Sequence, residues 1–139
     1  MTRTARSAQH GRWALGLRSG IVVVALGVVG ASGCHTGLRA PARIVPGASA
    51  DLGRKAIRHY GCGSCHEIPG VRGAHGLVGP PLIKFSKRGY IAGELKNNAD
   101  NLQRWLEDPK AVEPGTDMPN LHVTPDDARN ITAYLYTLK

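Results

Sequence analysis

One short run of the chain brings two thiols and an imidazole together: Cys62-Gly63-Ser64-Cys65-His66. Two cysteines at this spacing can each form a thioether with one edge of a haem, and the histidine that follows can ligate the iron. The two residues between the cysteines are small, so the turn can lie close to a flat ring. The run therefore predicts one covalently attached haem c, with Cys62 and Cys65 as thioether sites and His66 as the proximal ligand.

Three other interpretations of this run are open. A zinc site needs further ligands at metal-site spacing, and no cysteine follows Cys65. A thioredoxin-like dithiol lies near a βαβ pattern, which the sequence does not show. The third is a chance occurrence of the pattern.

Met118 is the candidate for a second iron ligand, because it is the only methionine apart from Met1. It lies in a polar turn between Pro114 and Pro119, which is an unusual place for an apolar side chain that normally fills cores. Its thioether is a soft donor for haem iron, and a His/Met pair raises the reduction potential. We expect Met118 as the sixth ligand, with His122 as the alternative.

The residues after His66 are rich in glycine and predict a loop that ends in Gly79-Pro80-Pro81-Leu82. Proline has no N–H, so the carbonyls of this loop are free. One of them can accept the Nδ1 hydrogen of a metal-bound histidine and so fix its orientation. We expect the two other histidines of the region, His59 and His75, to be solvated.

Three amphipathic helices can position these groups. Ser49 is a candidate N-cap for a helix that reaches Tyr60, and its Gly53 indicates a close crossing by another helix. A second helix is predicted to begin at Asp100, which forms a capping-box-like pair with Gln103, and to end before Pro109. A third follows Thr124, with proline and two aspartates in its first turn. Apolar residues at helical spacing support all three: Leu52, Ala56, Ile57 and Tyr60; Leu102, Trp105 and Leu106; Ala128, Ile131, Leu135 and Leu138.

The N-terminus predicts export. Four arginines without an acidic residue precede an apolar run and then Gly30-Ala31-Ser32-Gly33-Cys34, which together are typical of a signal peptide over residues 1–33. Small residues that end on a cysteine resemble the bacterial lipoprotein signal, so we expect lipidation at Cys34. An uncleaved anchor, or ordinary cleavage that leaves a spare thiol, are the alternatives. Residues 34–48 are predicted to be a tether, and residues 49–139 the folded domain.

The charge balance argues for a protein partner. The whole chain carries +8, and removal of the four arginines in residues 1–33 leaves 14 basic and 10 acidic residues, or +4. A modest positive surface suits docking to an acidic redox partner. The basic residues are scattered without interleaved aromatics, which argues against nucleic-acid binding.

From about Asp51 to Lys139 the chain resembles a class I monohaem cytochrome c. The matching pieces occur in family order: the haem run, the Gly79–Leu82 loop, Leu106-Glu107-Asp108-Pro109-Lys110, Pro114-Gly115-Thr116-Asp117-Met118 and the C-terminal helix. Residues 101–109 are similar to the cytochrome c domain of haem–copper oxidase subunits and other respiratory complexes. The resemblance implies an all-α fold of short helices wrapped around one covalently bound haem.

The resemblance also implies residue roles. The carbonyl of Pro80 holds His66, Leu82 packs on the haem, and Trp105 lines the distal pocket where the family often has tyrosine. Thr116 lies near a propionate, and Met118 is the distal ligand.

The implied function is one-electron transfer between respiratory redox partners at a membrane surface, without a small-molecule substrate or an enzymatic reaction of its own. The alternatives are a fixed haem subunit of a respiratory complex, a haem enzyme or gas sensor in which Met118 leaves the iron, and a structural lipoprotein. The expected location is the periplasmic or extracytoplasmic side, where a lipid on Cys34 anchors the domain.

Overall fold

A computed structural model describes residues 43–139 of the chain. It contains four helices, one short hairpin and two 3₁₀ turns. The helices are α1 (Ala50–His59), α2 (Ala99–Glu107), α3 (Pro109–Val112) and α4 (Pro125–Leu135). The 3₁₀ turns span Cys62–Ser64 and Phe85–Lys87, and the antiparallel strands are β1 (Tyr90–Ile91) and β2 (Leu95–Lys96).

The predicted signal peptide, Cys34 and the tether as far as residue 42 lie outside the described residues. Within residues 43–139, no helix is long and apolar enough to cross a bilayer.

Helix α1 crosses α4 at very short range. The side chain of Ser49 caps α1 by accepting from the Leu52 N–H, as predicted. At Gly53 a Cβ atom would overlap the main-chain carbonyl of Asn130 and would lie 2.9 Å from the nitrogen of Ile131. Glycine is therefore required where the two backbones meet. The face of α1 that includes Ile57 is buried there, whereas Leu52 is 51 % exposed.

Helix α2 begins earlier than predicted. Its N-cap is Asn98, whose extended backbone lets the side chain accept from the Asn101 N–H at 2.9 Å. Asp100 lies inside the first turn, where its charge favours the helix dipole. Gln103 donates to the carbonyl of Ala99 and does not complete a capping box. The predicted apolar face, which includes Trp105, is buried.

Helix α4 follows its prediction closely. Thr124 caps it by accepting from the Asp127 N–H, and Pro125 takes the first helical position. Its buried face includes Ile131 and Leu135, whereas Leu138 lies beyond the helix end and is partly buried. Helices α1, α2 and α4 pack together and enclose the core on one side of a cavity.

One buried polar residue connects three distant parts of the chain. The Nδ2 of Asn97 donates to the carbonyls of Phe85 and Arg88 at 3.2 and 3.0 Å. Its Oδ1 accepts from the hydroxyl of Tyr136 at 3.0 Å, and its carbonyl accepts from Arg43 at 2.6 Å. Because these polar groups of Asn97 all have hydrogen-bond partners, the hydrogen bonds compensate for the cost of removing the groups from water.

The first described residues pack against the domain. Arg43 places its guanidinium 5.1 Å from the ring centroid of Tyr136, and Val45 is buried in the core. The stretch 43–48, which falls in the predicted tether, is therefore attached to the folded part.

Candidate functional site

The chain turns sharply from α1 into the two cysteines. Gly61 adopts a left-handed conformation, with φ of 69°, that ends the helix and starts the 3₁₀ turn. The N–H groups of Cys65 and His66 both donate to the carbonyl of Cys62, at 3.3 and 3.0 Å. This turn brings both thiols and the imidazole to one cavity. Burial raises the pKa of the Cys62 thiol, so that residue lines the cavity as a neutral group.

The loop after His66 holds its imidazole on two sides. The Nδ1–H of His66 donates to the carbonyl of Pro80 at 2.8 Å. Gly79 lies directly against the ring, where a Cβ atom would come within 2.6 Å of Nδ1 and 2.9 Å of Nε2. The ring is therefore fixed in orientation, and Nε2 is left as the nitrogen available to a metal.

Other glycines let the same loop brace the cysteine turn. Gly76 donates from its N–H to the carbonyl of Gly63 at 3.0 Å, and a Cβ on Gly76 would overlap the main chain of Ser64. A Cβ on Gly63 would lie 2.7 Å from the Cα of Ala74. Loop and turn are thus packed backbone to backbone, which positions Cys62 and Cys65 rigidly.

The cysteine turn opens on a largely apolar cavity of about 340 Å³. That volume is in the range of small-molecule and cofactor sites, which is roughly 300–1,000 Å³. Its lining joins residues from α1, the loops, α2 and α4. They are Ile57, Cys62, Cys65, His66, Ile68, Val78, Gly79, Pro80, Leu82, Phe85, Arg88, Ile91, Ala92, Trp105, Leu106, Thr116, Asp117, Met118, Ile131 and Leu135.

All eight candidate haem-site residues line this cavity: Cys62, Cys65, His66, Pro80, Leu82, Trp105, Thr116 and Met118. Met118 is partly buried, and its N–H donates to the hydroxyl oxygen of Thr116 at 3.2 Å. Among the other histidines, His59, His75 and His122 are exposed and are not among the lining residues. His122 is thus disfavoured as the sixth ligand.

Sequence reasoning missed part of the cavity wall. Phe85 and Ile91 are buried and line the cavity. The sequence after Phe85 shows no clear motif or periodicity, so it did not predict these contacts. Phe85 is the only phenylalanine of the chain, and this is the one feature that could have singled it out. Two polar residues of the same stretch differ in position. Arg88 lines the cavity and donates to the carbonyl of Pro81, whereas Tyr90 is 59 % exposed and is not among the lining residues.

The donor set and the cavity fit a haem. Two thiols, one imidazole and one thioether border a single space whose other walls are mainly apolar side chains. Thioether formation, nitrogen and sulfur ligation and apolar contact are what a c-type haem requires. By contrast, no group of three or more His, Cys, Asp or Glu residues that could hold a bare metal ion occurs within residues 43–139.

Comparison with known proteins decides the family. Residues 50–139 match the sequence model of the cytochrome c family. The chain belongs to the cytochrome c family. The predicted all-α cytochrome c fold is thereby confirmed, and the family's chemistry is haem-based electron transfer.

Similar curated proteins are subunits of an oxidase. The chain is 35 % identical over 91 residues to "Cytochrome c oxidase subunit 2" of Alkalihalophilus pseudofirmus, which covers 65 % of this chain and 26 % of that protein. It is 37 % identical over 89 residues to the protein of the same name from Bacillus sp. (strain PS3), and that match covers 61 % of this chain and 25 % of the Bacillus protein. The match thus spans about a quarter of the length of these relatives, and the predicted likeness to oxidase-subunit cytochrome c domains is confirmed.

Proposed function

We propose that this cytochrome c is a one-electron carrier with a single haem attached covalently through Cys62 and Cys65. His66 is the proximal ligand and Met118 the distal ligand. The observation that carries the proposal is the shared cavity, because residues 56 positions apart in the sequence, from Cys62 to Met118, border one apolar space.

Several residues of the cavity then have distinct roles. The Pro80 carbonyl and Gly79 hold the ring of His66, while Leu82 and Trp105 form apolar walls. Thr116 lines the cavity, and its hydroxyl is the candidate hydrogen-bond partner of a propionate. The haem, when bound, supplies a ferrous/ferric couple whose potential a His/Met ligand pair raises.

A carrier is favoured over an enzyme or gas sensor. Met118 lines the same cavity as His66, so a thioether is at hand for the sixth position. With that position filled, the haem iron has no open coordination position for a substrate or gas.

Visible spectra test this proposal. Holoprotein made with haem-maturation machinery should give sharp c-type bands on reduction that carbon monoxide leaves unchanged. Met118→Ala should make the reduced protein bind carbon monoxide, whereas His122→Ala should behave as the parent because His122 is exposed. A parent protein that binds carbon monoxide freely would support the enzyme or sensor function instead, and a haem removed by acidic organic solvent would contradict covalent attachment.

The surface beside the cavity supports a docking role. Leu77 and Val78 are 85 % and 81 % exposed, and Val78 also lines the cavity. Lys84, Lys87 and Arg88 follow them along the chain, with no acidic residue between residues 76 and 88. Exposed apolar residues that are followed along the chain by basic residues suit docking to an acidic redox partner, and electron transfer to such a partner should slow as salt rises.

A second candidate is a fixed haem subunit of a respiratory complex. The observation in its favour is the likeness to proteins named cytochrome c oxidase subunit 2. Co-purification with membrane proteins in mild detergent, at constant stoichiometry, would establish the subunit. Release as a free protein would establish the mobile carrier.

The membrane location depends on the N-terminus. We propose that residues 1–33 direct export and that Cys34 carries a lipid, so the domain stays at the periplasmic or extracytoplasmic membrane surface. The mass of the mature N-terminal peptide, in the parent and in Cys34→Ala, tests this directly. An unmodified Cys34 would contradict the lipid anchor.

A further inference from the structure

The segment that carries Met118 has few polar attachments to the rest of the molecule. In the part of the chain that the structure describes, no main-chain group of residues 117–123 has a main-chain hydrogen-bond partner. We refer to residues 116–123 as the Met118 segment, whose one main-chain hydrogen bond to the rest of the described chain joins the Thr116 N–H to the carbonyl of Glu113 at 3.0 Å. Its apolar anchors are Val123, which is buried, and Leu121 and Met118, which are partly buried.

Two hydrogen bonds of the Met118 segment are internal. The N–H of Met118 donates to Thr116 Oγ1 at 3.2 Å, and the N–H of His122 donates to Asn120 Oδ1 at 2.8 Å. Such local bonds shape a turn, but they do not tie it to the domain. The position of Met118 relative to the cavity must therefore be fixed by contacts between the Met118 segment and the rest of the domain.

One polar side chain outside the Met118 segment reaches it. Lys110 Nζ donates to the main-chain carbonyl of Thr116 at 2.6 Å, and no other side chain of residues 43–139 makes a hydrogen bond into the segment from outside. Lys110 lies on α3, whose first turn is fixed by Pro109 and by the cap from Asp108 to the Ala111 N–H. A cation on a carbonyl makes a stronger bond than a neutral donor does.

We propose that Lys110 is a positioning residue that holds Met118 at the cavity by clamping the carbonyl of Thr116. Thr116 is then held at all three of its polar groups, because its N–H donates to the carbonyl of Glu113, its carbonyl accepts from Lys110 and its hydroxyl oxygen accepts from the Met118 N–H. Loss of the clamp lets the segment move away more often, so that an external ligand competes better with Met118. The inference rests on the proposed role of Met118 as the sixth ligand.

The test is imidazole binding to oxidised holoprotein. Lys110→Ala should bind imidazole about threefold to tenfold more tightly than the parent, which is the range for one exposed charge-assisted hydrogen bond. Lys110→Arg keeps a cationic donor and should restore most of the parent affinity. Lys55→Ala is the matched control, because Lys55 is exposed on α1 and makes no hydrogen bond or ion pair in the described region.

The possible results distinguish a failure of ligation by Met118 from a failure of the clamp by Lys110. If the parent already binds imidazole and carbon monoxide as readily as Met118→Ala does, the proposed ligation by Met118 is wrong. If the parent is closed and Lys110→Ala matches it, Met118 ligation stands and the clamp is wrong. A thermal unfolding midpoint that falls equally in Lys110→Ala and Lys110→Arg, with imidazole affinity unchanged, would also reject the clamp, because it would show a structural role alone.

Discussion

At the scale of single residues, the neighbours of His66 fix the orientation of its imidazole ring. Pro80 provides an acceptor for Nδ1, and Gly79 provides the space in which the ring lies. Both come from one four-residue loop, so one short stretch fixes the tautomer and the orientation of the ring together. A change in that stretch should therefore affect the chemistry of His66 and not only the stability of the fold.

Gly79→Ala tests this packing. A Cβ at this position would lie 2.6 Å from His66 Nδ1, so the ring must move and its hydrogen bond to Pro80 must lengthen. We expect a lower yield of holoprotein and a shifted reduction potential. Gly89→Ala is the control, because a Cβ there has no atom within 4 Å. A Gly79→Ala protein with the spectrum and potential of the parent would contradict the close packing.

Residue types in a short pattern are enough to propose this part of the candidate site. The cysteines, His66 and the free carbonyl of a proline are local features, so the sequence contains them. The need for glycine at position 79 depends on a ring 13 positions earlier in the chain, and only the folded structure shows it. Asn97 is a similar case, since a polar residue predicts exposure unless its distant partners are known.

At the scale of elements, capping signals predicted α1 and α4, because Ser49 and Thr124 act within one turn of their own positions. The N-cap of α2 lies two residues before the predicted one, since Asn98 and Asp100 are both good N-caps and backbone geometry selects the former. The hairpin was missed because its strands have two residues each, too few for an alternating pattern.

The crossing of α1 and α4 gives the prediction at this scale. Gly53→Ala improves helix propensity by roughly 0.5–1 kcal/mol, but the new Cβ meets the main chain of α4, which cannot rotate away. Overpacking of this kind costs about 1–3 kcal/mol or more, so the net effect should be destabilising. Urea unfolding of the holoprotein should show a lower midpoint, while Gly89→Ala stays near the parent. A midpoint that rises would show that the helices can separate freely.

At the scale of the whole molecule, the core and the cavity are largely the same structure. Five fully or nearly fully buried residues also line the cavity, namely Ile57, Ile68, Ile91, Ile131 and Leu135. The remaining core is small, because the described domain has fewer than a hundred residues. The group that fills the cavity should therefore supply much of the apolar contact that holds α1, α2 and α4 together.

This predicts that the haem-free chain is largely unfolded. When the cavity of about 340 Å³ is unfilled, the apolar side chains that line it lack packing partners on one side, which lowers the stability of the fold. The whole stability of a typical domain is only roughly 5–15 kcal/mol, so a loss of this kind can unfold the chain. The Cys62→Ala/Cys65→Ala chain, made without haem, should show low helicity by circular dichroism and no cooperative thermal transition. Added haem should restore helicity, because His66 and Met118 remain as ligands. Such a recovery would show that the missing haem, and not the substitution of the cysteines, causes the unfolding. A cooperative transition in the haem-free chain would mean that packing of α1 against α4 suffices for folding.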